Sequence, residues 1–136
     1  MEWRSLGQTD YPTSFPLREV LMLAKRCAGG LILGFKQFET KNGIWKKGTP
    51  FQSIQRALLK LPTPWNHIEA GILFSLDLPL LVFREDGVAG GIFDNGVSDL
   101  FVQNLPIGRS HKRDRKVIKE VIRKWSVRVH SHYYEE

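Results

Sequence analysis

Apolar positions in this 136-residue chain come in two patterns. Short continuous runs suit buried strands, and stripes at helical spacing suit amphipathic helices. In chain order, EWRSL (2–6) reads as a short strand and GQTDYPTSF as a turn-rich loop. Ser14 with Pro16 and Glu19 marks a helix start, and Leu17, Val20, Leu21, Ala24 and Cys27 then recur on one side until Gly29 or Gly30 provides the exit. LILGF (31–35) predicts a strand covered on both faces. Residues 36–48, with Asn42-Gly43, read as a polar loop, and Thr49-Pro50 predicts a helix through Leu59 bearing Phe51, Ile54, Leu58 and Leu59. Thr63 as N-cap and Pro64 as first helical residue open a helix to about Asp77, Pro79 ends it, and Leu80–Phe83 is a buried strand. A glycine-rich loop (84–96) leads to a last strand within Ser98–Pro106, around LFV. From Ser110 a long basic helix carries Val117, Ile118, Val121, Ile122, Trp125 and Val129 as its stripe.

Helices alternating with buried strands predict an α/β fold, a small parallel sheet with helices on both faces, plus the long basic C-terminal helix. No repeat or linker divides the chain, so residues 1–136 read as one domain with 110–132 as a docking helix.

The helix after Thr63 holds the residue of greatest chemical interest. With side chains about 100° apart, Trp65, Ile68, Ile72, Leu73 and Leu76 share an arc, and Glu69 falls inside it. A carboxylate within an apolar arc is costly unless it is paired, protonated or facing a cavity. It is therefore either a structural acid tied to a backbone donor or a cation, or a site acid. Trp45, in the loop after the strand at 31–35, can equally stack on a base or anchor the loop to the core. The glycine-rich loop can admit a phosphate, but it has neither a Walker lysine nor G-x-G-x-x-G.

Charge and cysteine content narrow the partners. Residues 109–136 hold nine Lys/Arg against four Asp/Glu, and residues 1–108 eleven against ten, which assigns the basicity to the C-terminal helix. No aromatic residues interleave with those cations and no reading motif is present, so nucleic acid is not expected as a partner of the protein. His130 and His132 lack metal-ligand companions, so no metal is expected. Cys27 is the single cysteine and reads as packing; a reducing compartment follows. Neither a membrane-length apolar run nor a signal-peptide pattern is present in the sequence, and a cytoplasmic protein without a membrane span is expected.

Trp65-Asn66-His67-Ile68-Glu69, followed by Leu78-Pro79-Leu80-Leu81-Val82-Phe83, resembles the Toll/interleukin-1 receptor (TIR) domain family. In that family a helix carries Trp and, four residues on, an acid that serves NAD cleavage in the enzymatic members. Asp10-Tyr11-Pro12 looks like the loop after the family's second strand, and Leu31–Phe35 like its third. The chain is also similar in outline to the nucleoside 2-deoxyribosyltransferases, whose E-x-G-x-A is partly followed by Glu69-Ala70-Gly71-Ile72-Leu73, with Leu last. Both resemblances span roughly residues 6–107. They imply a TIR-like or flavodoxin-like three-layer fold and cleavage of the N-glycosidic bond of NAD or a related nucleotide. Glu69 would be catalytic, and Trp65, Asp10, Tyr11, Trp45 and Phe35 would bind the substrate. NAD would be substrate rather than cofactor, and the protein a signalling or defence oligomer; a non-catalytic, self-assembling TIR-like module is the alternative. The family's first, central strand and its helix find no counterpart here. The resemblance thus implies a shortened domain, a strand supplied by another chain, or a rearranged sheet.

Overall fold

A computed structural model describes residues 1–4, 16–98, 100, 102–106, 108 and 112–135. Its centre is strand β6 (Leu80–Glu85), whose first four residues are all buried. Parallel neighbours flank it, β1 (Gly30–Gly34) on one side and β7 (Val102–Leu105) on the other, giving the order β1-β6-β7. Register runs Gly30 opposite Leu80 to Gly34 opposite Arg84, and Val82 opposite Val102 to Glu85 opposite Leu105.

Successive strand side chains point to opposite faces, and β6 uses both. Leu80 and Val82 join Ile32, Ala24 of α1 (Pro16–Ala24) and Ala70 and Leu73 of α2 (Pro64–Ser75) in one core. Leu81 and Phe83 join Trp125 and Val129 of α3 (Lys112–Glu135) in a second. The molecule is thus α/β with helices on both faces of a three-stranded parallel sheet, as the alternation predicts. α3 docks on this chain's own sheet: the Trp125 indole N–H donates to the Pro79 carbonyl at 2.9 Å, and the same oxygen accepts the Gly30 N–H at 3.0 Å. Trp3 lies against Trp125, ring centroids 6.0 Å apart.

Local chemistry explains α2. Thr63 is extended and its hydroxyl accepts the Asn66 N–H at 3.3 Å, while Pro64 occupies the first turn, where its missing N–H costs nothing. The predicted arc is corrected in position: α2 buries Ala70 and Leu73, with Ile72 and Leu76 partly covered, whereas Trp65, Ile68 and Phe74 stay exposed. A small Ala lets the helix backbone approach the sheet, and this close line sets which side faces inward.

The largest departure lies between β1 and α2. The expected polar loop and the helix through Leu59 are instead a two-tiered antiparallel arm. β2 (Phe38–Thr40) pairs with β5 (Leu59–Leu61), and β3 (Ile44–Trp45) pairs with β4 (Ser53–Ile54). Gln55 N–H donates to Gly43 O beyond the inner pair. Between the tiers, residues 41–42 on one strand oppose 56–58 on the other, the one-residue excess of a bulge. The spacing of Phe51, Ile54 and Leu58 mimics a helix, but all three are exposed, so the period records no buried face.

Smaller shifts follow. β1 begins one residue early and leaves Leu33 exposed, so it is not covered on both faces along its length. α1 ends at Ala24, with Lys25 and Arg26 in a turn rather than helix. The last strand starts at Val102 rather than at Leu100. Residues 1–4 have no regular structure, and the rest of the EWRSL reading, like the Ser14 cap, lies outside the described residues. Among the described residues no helix is long and apolar enough to cross a membrane.

Two substitutions test this packing. Trp125→Ala removes a buried ring and its bond to Pro79, and should lower unfolding free energy by roughly 3–5 kcal/mol in urea titration. Gly34→Ala would drive a Cβ into the Phe93 ring, and a loss of roughly 1–3 kcal/mol is expected.

Candidate functional site

In open α/β sheets ligands bind beyond the carboxyl ends of the strands. Here that edge gathers the end of β1, the first turn of α2 and the loop after β6. The Asn66 side chain ties two of these together, its Nδ2 donating to the Leu33 carbonyl at 3.3 Å and its Oδ1 accepting from the Thr63 hydroxyl at 3.2 Å. Trp65, next to Asn66 in the chain, is 38% exposed, and Phe35, one residue past the end of β1, is 48% exposed. Glu69 is half-buried one turn further along α2, on the same flank as Trp65 and the 39% exposed Ile68. Glu69 has an interaction of its own within the protein.

The remaining candidates separate. Trp45 belongs to β3, and its indole N–H donates to Gln55 Oε1 at 2.8 Å, so its recorded partner is within the arm rather than on α2. Asp10 and Tyr11 lie outside the described residues. One recess of about 100 Å³ lies between β6, β7 and α3, lined by Phe83, Gln103, Asp114 and Val121 among others. Another is bordered by Lys112, Arg115, Lys116 and Lys119 of α3. Neither is lined by Glu69, Trp65 or Phe35.

The glycine-rich loop has a definite conformation, set by a residue the sequence reading passed over. Arg84, at the end of β6, donates from Nε to Asn104 Oδ1 at 2.9 Å and from Nη1 to the carbonyls of Phe93 (2.8 Å) and Val88 (3.4 Å). Its acceptors are mostly backbone carbonyls, which leave no signal in the sequence. Backbone N–H groups of the loop are largely committed inside the protein: Val88 to Glu85 O, Ala89 to Lys60 O, Gly90 to Asp94 Oδ1 and Phe93 to Gly90 O. Glu85 Oε2 accepts the Lys36 N–H at 2.7 Å. With Glu85, Asp86 and Asp94 alongside, this loop does not form the anion cradle that its glycines allow. Gly91 is required on two counts, since it holds φ +55° and a Cβ there would stand 2.7 Å from the His67 ring. That ring meets Phe93 edge-on at 5.5 Å, which joins α2 to the loop.

Cys27 is half-buried and its thiol donates to the Leu23 carbonyl at 3.3 Å. Burial pushes its pKa up, with Arg4 opposing. Among the described residues no three His, Cys, Asp or Glu side chains cluster as metal ligands would.

Comparison with family models gives no match, and none of the curated proteins or solved structures is significantly similar to this chain.

Arg84→Ala should remove roughly 1.5–3 kcal/mol of stability and speed amide exchange at Val88, Ala89 and Phe93. Arg84→Lys should not restore it, because an ammonium cannot span these acceptors as the planar fork does. Cys27 should alkylate more slowly than an unstructured cysteine at neutral pH. Because its folded pKa is raised, its small stabilising contribution is present at neutral pH and is lost as pH rises through the folded pKa. Alkylation rates followed against pH check both statements.

Proposed function

We propose that this chain is a nucleotide-processing α/β module, TIR-like in plan, in which Glu69 acts on the N-glycosidic bond of NAD or a related nucleotide. The observation that carries this reading is the open flank of α2. Trp65 and Glu69 stand on successive turns, and Asn66 holds that flank to the end of β1 beside exposed Phe35. Two aromatic rings at a strand exit suit a planar base, and a carboxylate one turn deeper suits the positive charge that develops on ribose as the glycosidic bond breaks. In this role Glu69 stabilises or attacks the oxocarbenium-like ribose, water completes the cleavage, and nicotinamide leaves. The unpaired Cys27 accords with a reducing, cytoplasmic setting for such a signalling or defence activity.

A second, non-catalytic reading is favoured by the sheet edge. Gly30 N–H bonds Pro79 O, which turns the even-numbered peptide groups of β1 toward β6 and those of Leu31 and Leu33 outward. No strand pairs with that outer side among the described residues, and of its groups the Leu33 carbonyl already accepts from Asn66 Nδ2. An unpaired edge is a template for a strand from a second copy, so the module would act by self-assembly.

Incubation with NAD while following nicotinamide release tests the first reading. Wild type should turn over, and Glu69→Gln should lose activity with a nearly unchanged melting temperature. No turnover by wild type, with roughly 3–5 kcal/mol lost in the variant, would instead mark a structural ion pair. For the second reading, light scattering should show an oligomer that Leu33→Lys dissociates, with a wild-type melting temperature that rises with concentration. A wild-type monomer that is stable on dilution removes self-assembly.

A further inference from the structure

Positive charge in this molecule is not confined to α3. Residues 36–61 hold six Lys/Arg against one Glu, whereas residues 62–108 hold one Arg against six Asp/Glu. The outer half of the arm is the more extreme part, with Lys41, Lys46, Lys47 and Arg56 and no carboxylate between Thr40 and Leu59. None of these four is in an ion pair among the described residues. Aromatic rings lie between them. Trp45 is 47% exposed and Phe51 73% exposed. The indole N–H donates to Gln55 Oε1 at 2.8 Å, which fixes one edge of the ring while about half of the residue remains exposed. Lys46 Nζ stands 5.4 Å from the centre of the Phe51 ring.

We propose that the outer arm binds single-stranded nucleic acid, with its cations on successive phosphates and a base stacked on Trp45. Cations flanking a half-exposed indole fixed at its N–H supply both parts of sequence-tolerant single-strand binding, a charged track and a stacking platform. A duplex keeps its bases stacked and offers the indole no face. A membrane-inserting tip would need a cluster of apolar side chains at its apex. The apex here, residues 46–52, is Lys-Lys-Gly-Thr-Pro-Phe-Gln, with Phe51 its one large apolar side chain. This surface is separate from the flank of α2 around Glu69, and the inference does not depend on that site.

Fluorescence anisotropy with a labelled single-stranded oligonucleotide of mixed sequence tests it, alongside its duplex, inorganic polyphosphate and phosphatidylserine–phosphatidylcholine vesicles. Single strands should bind in preference to all three, with a log–log salt slope near roughly −3 for four phosphate contacts. Lys47→Ala and Arg56→Ala should each reduce that slope by about 0.7. Trp45→Ala should weaken binding roughly five- to a hundredfold, Trp45→Phe should recover most of it, and the melting temperature should stay unchanged in all four variants. Absence of binding overturns the proposal. So does equal affinity for polyphosphate with no effect of Trp45→Ala, preference for vesicles, or loss of binding through Lys116→Glu in α3 while the arm variants bind normally.

Discussion

One carbonyl oxygen ties neighbouring strands to each other and the sheet to α3. Pro79 has no N–H to give, but its oxygen accepts both the Gly30 N–H and the Trp125 indole N–H. The first bond sets the register of β1 on β6, and the second fixes how α3 meets the opposite face. The proline also ends the connection from α2, so helix exit, strand pairing and helix docking are fixed at one residue. Buried acceptors left unpaired cost roughly 1–3 kcal/mol, and here two partners from distant parts of the chain satisfy one group. Around it, β6 supplies Val82 to one core and Phe83 to the other.

Elements whose pattern arises from burial were legible in the sequence. The Leu80–Phe83 run and the Trp125–Val129 stripe appear as expected because neighbouring layers demand those residues, and the Thr63-Pro64 start appears because its cap is local chemistry. The arm was not legible, for the converse reason. Its apolar residues face solvent, so their spacing reports neither a core nor a period, and Phe51, Ile54 and Leu58 gave a helical pattern by coincidence. The bulge between its tiers breaks the alternation that would have marked strands. Charge was misassigned by the same route: counted over residues 1–108, the basic arm and the acidic stretch that follows it cancel.

The candidate site was legible in part. Glu69 and Trp65 stand on successive turns of α2 and Phe35 is exposed just past β1, but the arc expected to enclose Glu69 includes the exposed Trp65 and Ile68. Helical angle alone cannot find that opening, because the inward line is chosen by Ala70, the residue small enough to meet the sheet. Arg84 was equally hidden, since its partners are mostly backbone carbonyls, which carry no mark in sequence. What the sequence offers as a flexible glycine-rich stretch is a loop braced from inside.

The two-tiered arm has a consequence for how this protein can diversify. β3 and β4 pair with each other and enter neither core, so substitutions near the tip leave the packing around Pro79 untouched. Folding therefore exerts little purifying pressure there, and sequence drift at the tip is filtered chiefly by whatever the tip contacts. The arm is a module on which new specificities can be tried while the sheet that carries it stays fixed.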